Sequence, residues 1–146
     1  MNDLELFVSK FTDEKINYAK KGKKYFLVSP ELEEMEKRIP DRVSSGIILG
    51  ASEENKGFKP GIYLLEWLSP RTRNKVFVND KAEWLFLCGR DVLPESIARD
   101  SSSRDIFLVQ NLIDENLGLG KKVRKGKSYF IKNVLDRGDF LRRERR

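Results

Sequence analysis

Residues 117–132 read LGLGKKVRKGKSYFIK, and six cations, Lys121, Lys122, Arg124, Lys125, Lys127 and Lys132, stand between Glu115 and Asp136 with no acid among them. Uncompensated ammonium and guanidinium groups at that density are suited to hold phosphate. Gly126 is the natural turn of a hairpin, so several of these cations should lie on one edge of a sheet. On a strand, positions 121, 123 and 125 point one way and 122 and 124 the other, which places Val123 on the face of Lys121 and Lys125. The charge is therefore spread over the rim and the turn. That distribution fits a phosphate backbone better than one small anion, and the competing reading is a solvated hairpin on a basic protein. Tyr129 and Phe130 alternate on the next strand, one for the core and the other for contact with a nucleic-acid base, and alternation alone leaves open which is which. Arg90 is a further candidate contact, and the arginines at 142, 143, 145 and 146 form a candidate electrostatic arm.

Other chemistries fail on residue type. The GLGKK segment is not a nucleotide phosphate loop, because the first glycine of that loop is replaced by Glu115 and its magnesium-binding hydroxyl by Lys122. The sequence has no histidine, which removes Ser-His and Cys-His pairs and imidazole metal ligands. Cys88 is the single cysteine, so neither an internal disulfide nor a cysteine zinc site can form, and it is expected to pack against the core. The serines of the RDSSSRD run, residues 99–105, have no base beside them and read as a flexible loop. Carboxylates of the first half, Asp41 and Glu66 among them, form no constellation. We therefore expect no catalytic residue, no metal and no cofactor.

A composition of 39% hydrophobic and 36% charged residues over 146 positions describes a charge-rich chain able to bury one good core or two small ones. No apolar run is long enough to span a bilayer, and MNDLELFVSKF lacks the features of a secretory leader, so the expected location is the cytoplasm, with no membrane partner. The charge is uneven: residues 1–70 hold 11 Lys+Arg against 12 Asp+Glu, and residues 71–146 hold 18 against 11. A polyanion partner for the second half follows, with a neutral or protein-facing role for the first. The rigid SPRTR joint, residues 69–73, marks the change of composition, and the expected domains are 1–70 and 71–146.

The elements that must position these residues can be read in order. Residues 2–10 suit a short helix with Leu4, Phe7, Val8 and Phe11 on one face. Residues 16–19 and 25–28 flank KKGKK as a hairpin turned on Gly22, whose lysines read as a solvated turn. Ser29 and Pro30 start a helix that ends near Ile39. Residues 43–49 form a strand, 51–57 a polar loop, and 58–67 the strongest strand of the first half. The second half is short strands at 75–78, 91–92, 96–98, 106–112, 117–123 and 128–134, a spacing that suggests a small barrel or sandwich. Between the first two lies a helix in which Asp80 is the expected cap and Glu83 its partner, with Ala82, Leu85 and Phe86 on one face and Gly89 as the stop.

Two segments of this second half resemble a known family. The order FV-x-x-x-A-x-x-x-F-L-x-G-x-D-V-L within residues 75–92 and just beyond, followed by NVLDRGDFLRRE, resembles the PUA domain, an RNA-binding pseudobarrel. The whole is similar to the Nip-seven family of ribosome-assembly factors, in which a small α/β domain precedes a PUA domain. The closing D-x-G-x-aromatic-aliphatic-R-x-E motif is carried by Asp136, Gly138, Phe140, Leu141, Arg142 and Glu144. The resemblance implies an α+β fold: an N-terminal antiparallel sheet with short helices, then a small mixed β pseudobarrel with one or two short helices. It implies a non-enzymatic protein that contacts ribosomal or precursor RNA, in single-stranded or loop regions, along the face where the helix meets the last strands. It also implies recruitment of an assembly factor through the N-terminal domain. The alternatives from other classes are an RNA-modifying enzyme or a subunit of one, and a protein-interaction module whose charges only confer solubility.

Overall fold

The computed structural model describes residues 1–28 and 46–139. The helix expected over 29–39, the start of the strand expected over 43–49, and Phe140, Leu141 and the arginines beyond them lie outside the described residues. The chain divides into two compact units, Met1–Leu64 and Leu65–Arg146. The fold is α+β, and among the described residues each unit holds one sheet.

In the first unit, α1 (Asp3–Ser9) begins with a reciprocal cap: the Asn2 side chain accepts from the Glu5 amide at 2.9 Å while Glu5 accepts from the Asn2 amide at 3.3 Å. Leu4, Phe7 and Val8 form its buried face, as their spacing requires. Four antiparallel strands follow in the order β1 (Tyr18–Lys21), β2 (Lys24–Leu27), β3 (Ile48–Glu53) and β4 (Gly57–Pro60). Tyr25 is buried between the rings of Tyr18 and Phe58, and Phe58 also meets Phe7. The hairpin turn falls at Gly22, with a positive φ of 62°.

Two expectations for this stretch need correction. β3 runs on through Glu53, so the polar loop shrinks to a turn at 54–56. The long strand expected over 58–67 ends at Pro60, and α2 (Ile62–Leu68) takes its place. Proline cannot donate to a ladder, and a short run that is apolar at nearly every position carries little period in the sequence to separate strand from helix. Leu64, Leu65 and Leu68, all fully buried, keep helical spacing.

The second unit is one five-stranded mixed sheet, ordered β6 (Ile97–Asp100), β5 (Lys75–Val78), β7 (Ile106–Gln110), β8 (Asn116–Lys125) and β9 (Ser128–Asp136). Among the described residues of this sheet, β5 and β7 pair in parallel and the other neighbours antiparallel. The sheet curls around Val76, Val78, Phe86, Phe107, Val109 and Ile131. Gly120 permits the curl, because a Cβ there would stand 2.5 Å from a methyl of Ile131 and 2.7 Å from one of Val109. At Gly118 a Cβ would collide with the carbonyl of Leu135, and the register shifts between Leu119 and Gly120. These glycines of the LGLG run thus serve the bend.

Helix α3 (Asp80–Leu87) covers the core with Ala82 and Phe86. Its cap is Asn79, not Asp80: the Asn79 backbone is extended and its side chain accepts from the Ala82 amide at 2.9 Å, whereas Asp80 is already helical. The end is as expected. Gly89 has φ 91°, its amide reaches Phe86 O at 2.9 Å, and the Arg90 amide reaches Leu85 O at 3.0 Å. Cys88 is exposed and does not pack in the core, because it follows Trp84 by four residues on the helix face turned away from Ala82 and Phe86. The RDSSSRD run is also more ordered than a flexible loop. Arg99 and Asp100 belong to β6, the Ser101 hydroxyl donates to the carbonyls of Arg73 and Lys75, and the Ser103 amide donates to Asn74. Among the described residues no helix is long and apolar enough to cross a membrane.

Candidate nucleic-acid interface

The β8–β9 hairpin sets the geometry of the basic segment. Its register pairs Lys121 with Lys132, Val123 with Phe130 and Lys125 with Ser128, while Lys122 faces Ile131 and Arg124 faces Tyr129. Residues directly opposite on an antiparallel pair share a face. Ile131 lies in the core and Tyr129 packs against it, so Lys122 and Arg124 belong to the inward face. Lys121, Lys132, Val123, Phe130 and Lys125 therefore form the outward one. The choice that alternation left open between the two aromatics is resolved: Tyr129 turns in and Phe130 turns out.

The inward residues make a strut. The Tyr129 hydroxyl donates to Asp100 Oδ2 at 2.5 Å, and Lys122 Nζ lies 3.5 Å from the same oxygen and 4.6 Å from the Tyr129 ring centre. Asp100 comes from β6 and Tyr129 from β9, the two edges of the sheet, so this contact closes the curl. Burial pushes the Asp100 carboxyl up, but hydrogen bonds from Ser102 and Tyr129 and the charge of Lys122 together hold it below the ordinary carboxylate range. Burial, then the hydrogen bond and charge of Asp100, push the Tyr129 phenol far above its ordinary value. Lys122 is thus a correction to the reading of six uncompensated cations. Its acid partner lies 22 positions earlier and meets it only through the fold.

Of the other predicted contacts, Lys121, Arg124, Lys125, Lys127 and Lys132 are exposed. Lys121 and Lys132 stand directly across from one another, a like-charged pair that costs energy unless an anion lies between them. Neither forms an ion pair among the described residues. Arg90 is exposed too, and its carbonyl accepts from the Asn133 side chain at 3.3 Å. That contact puts Arg90 beside the middle of β9, about 20 Å along the strand from the turn at Gly126. The structure thus groups Arg90 with the Lys132 region and apart from Lys125 and Lys127. Gly89 ends α3, as described. Asp136 is buried and accepts from the Asp139 amide at 2.7 Å, which starts the turn containing Gly138. Both are structural positions.

Two other cations of this unit, Lys75 and Arg137, are engaged. Lys75 is buried and bonds Asp114 at 3.0 and 3.2 Å, and Gln110 donates to the same carboxylate. Arg137 lies 2.9 Å from Glu66 Oε1, an ion pair by distance and not a hydrogen bond by geometry, since that oxygen accepts none. On the outward strip Lys121, Lys125 and Lys132 share one face with an aromatic ring, Phe130. The sequence reading missed a second concave feature, a groove of about 740 Å³ between α3 and the segment joining β7 to β8. The signal for it was available. Trp84 falls off the apolar face of α3, where an indole has no core to fill.

Comparison with known proteins agrees with this architecture. Residues 74–145 match the family described as the UPF0113 PUA domain. A UPF0113 protein of Archaeoglobus fulgidus is 32% identical over 111 residues, which cover 69% of this chain and 63% of that relative. The chain thus aligns with less than two thirds of the relative's length. A solved structure described as a conserved PUA domain protein from Thermoplasma acidophilum superposes with a TM-score of 0.56 at 19% identity, covering 99% of this chain and 96% of that one. At that identity the likeness is one of fold, a PUA-like pseudobarrel.

Proposed function

We propose, from the match of residues 74–145 to a PUA domain, that this chain is a non-catalytic RNA-binding protein whose outward β8–β9 strip holds single-stranded RNA. The observation that carries the reading is Phe130 set on one face with Lys121, Lys125 and Lys132. A base can stack on the ring while the ammonium groups meet the phosphates on either side. Arg124 and Lys127 extend the positive field at the turn, and Arg90 extends it beside β9. The similarity to Nip-seven proteins supports a finer reading: ribosomal or precursor RNA as ligand, ribosome assembly or rRNA processing as the setting in the cytoplasm, and an assembly factor held by the first unit.

The test is binding of a fluorescent single-stranded RNA across a salt series. Replacing Lys121, Lys125 and Lys132 with alanine should weaken binding and reduce the slope of log K against log salt by about 2, at roughly 0.7 for each phosphate no longer neutralised. Phe130→Ala should weaken binding by about 1–3 kcal/mol with the salt slope unchanged. Equal affinity and slope for the triple variant and the wild type would remove the strip from the interface.

A further inference from the structure

The groove beside α3 has the opposite chemistry to the basic strip. Glu83, Trp84 and Leu87 of the helix form one wall, and Asn111, Glu115 and Asn116 the other. The Trp84 side chain is largely free, with the residue 68% exposed. The turn that carries Asn111 and Glu115 also exposes Leu112 and Ile113, at 56% and 76%. Large apolar residues displayed together in this way mark a surface that a partner covers.

The polar groups define the occupant. The Asn111 side-chain amide donates to Glu83 Oε2 at 3.2 Å and to Glu115 Oε1 at 2.9 Å, so one NH2 group holds two carboxylates near one another. The Asn111 carbonyl oxygen is used as well, accepting from the amides of Ile113 and Glu115. One oxygen of each carboxylate remains without a hydrogen bond among the described residues, and no lysine or arginine there pairs with either. Asn116 is only 2% exposed and leaves its Oδ1 without a donor. Arg137, at the end of the groove, is engaged by Glu66. The walls thus offer acceptors, negative charge and an aromatic face. A phosphate chain is disfavoured by two carboxylates. A planar cation with several N–H donors satisfies all three features, since a guanidinium stacks on indole and donates in pairs to carboxylates.

We propose that this groove docks an arginine side chain of a partner protein, its guanidinium against Trp84 and bonded to Glu83 and Glu115, with apolar residues beside the arginine covering Leu112 and Ile113. The surface is separate from the RNA strip, so the two can be occupied together and can fail separately.

The experiment titrates a blocked Leu-Arg-Leu peptide into the full-length, isotope-labelled protein and follows the Trp84 indole and Asn111 side-chain amide signals. A counterpart peptide with citrulline in place of arginine keeps the shape and loses the charge, and an RNA oligonucleotide forms a third arm. The arginine peptide should shift both signals saturably, and the citrulline peptide should bind about tenfold more weakly or worse. Glu83→Gln with Glu115→Gln, and separately Trp84→Ala, should each weaken peptide binding about tenfold while RNA affinity stays the same. Equal binding of the citrulline peptide, full affinity in the double glutamine variant, or movement of Trp84 by RNA and not by peptide would each overturn the proposal.

Discussion

The chain contains two lysine-rich hairpins turned on a glycine, β1–β2 at Gly22 and β8–β9 at Gly126, and both glycines have a φ of 62°. Turn chemistry and cation density are alike, yet the surroundings differ. In the first hairpin Lys21 and Lys24 face each other beside the turn, Lys23 reaches Glu54 at 3.6 Å, and Lys20 lies over the ring of the buried Tyr25. In the second, the facing lysines Lys121 and Lys132 lie in mid-strand, and Phe130 shares their face. What makes a charged hairpin a candidate interface is thus the residue opposite each cation and the direction of the aromatic beside it. The number of lysines does not distinguish them.

The largest expected effect breaks the comparison directly. Lys121→Glu with Lys132→Glu should lower single-stranded RNA affinity by about a hundredfold or more, because positive charge is removed and then reversed at two phosphates. Lys21→Glu with Lys24→Glu should change it little, and fluorescence anisotropy on both variants checks the pair. Next comes the curl that presents the strip. Gly120→Ala forces a methyl against Ile131 and Val109, and overpacking of that kind should cost about 1–3 kcal/mol in thermal or denaturant unfolding.

Tyr129→Phe should cost about 1–2 kcal/mol by the same measurement, as it removes the hydrogen bond that joins the sheet edges and leaves Asp100 short of a donor. The pH dependence has two limbs. Asp100 titrates lower in the folded state, so its contribution is present above the ordinary carboxylate value near 3.8 and is lost as pH falls through the folded value. Tyr129 titrates higher when folded, so its contribution is present below the ordinary value of 10.0 and is lost as pH rises beyond that. The phenylalanine variant should lack the alkaline limb. The smallest effect sharpens the likeness: Gly22→Ala and Gly126→Ala should cost about 1 kcal/mol each, since both turns are left-handed and neither new methyl meets a neighbour within 4 Å.

Local signals carried much of this into the sequence. The strands of the second half, the helix that follows β5, its stop at Gly89 and the basic hairpin all announce themselves by turn residues and period. α2 did not, because every residue of it but Glu66 is aliphatic or aromatic, and a run of that length and composition is ambiguous. Asn79 and Asp80 are both good caps, and only the backbone angle decides between them. The direction of Tyr129 and Phe130 needed the register. Lys122 looked like its neighbours because its partner, Asp100, sits on the far edge of a sheet that must first curl. The groove acids Glu83 and Glu115 are 32 positions apart, and Asn111 joins them only after β7 is in place.

The central claim is that RNA meets the outward face of β8–β9 at Phe130. Titration of a short single-stranded RNA into the isotope-labelled protein, read residue by residue by NMR, tests it most directly. The largest shifts are expected at Lys121, Val123, Phe130 and Lys132, with the β1–β2 hairpin unmoved. Shifts concentrated at Lys20–Lys24, or along the Trp84 groove with Phe130 unmoved, would contradict it.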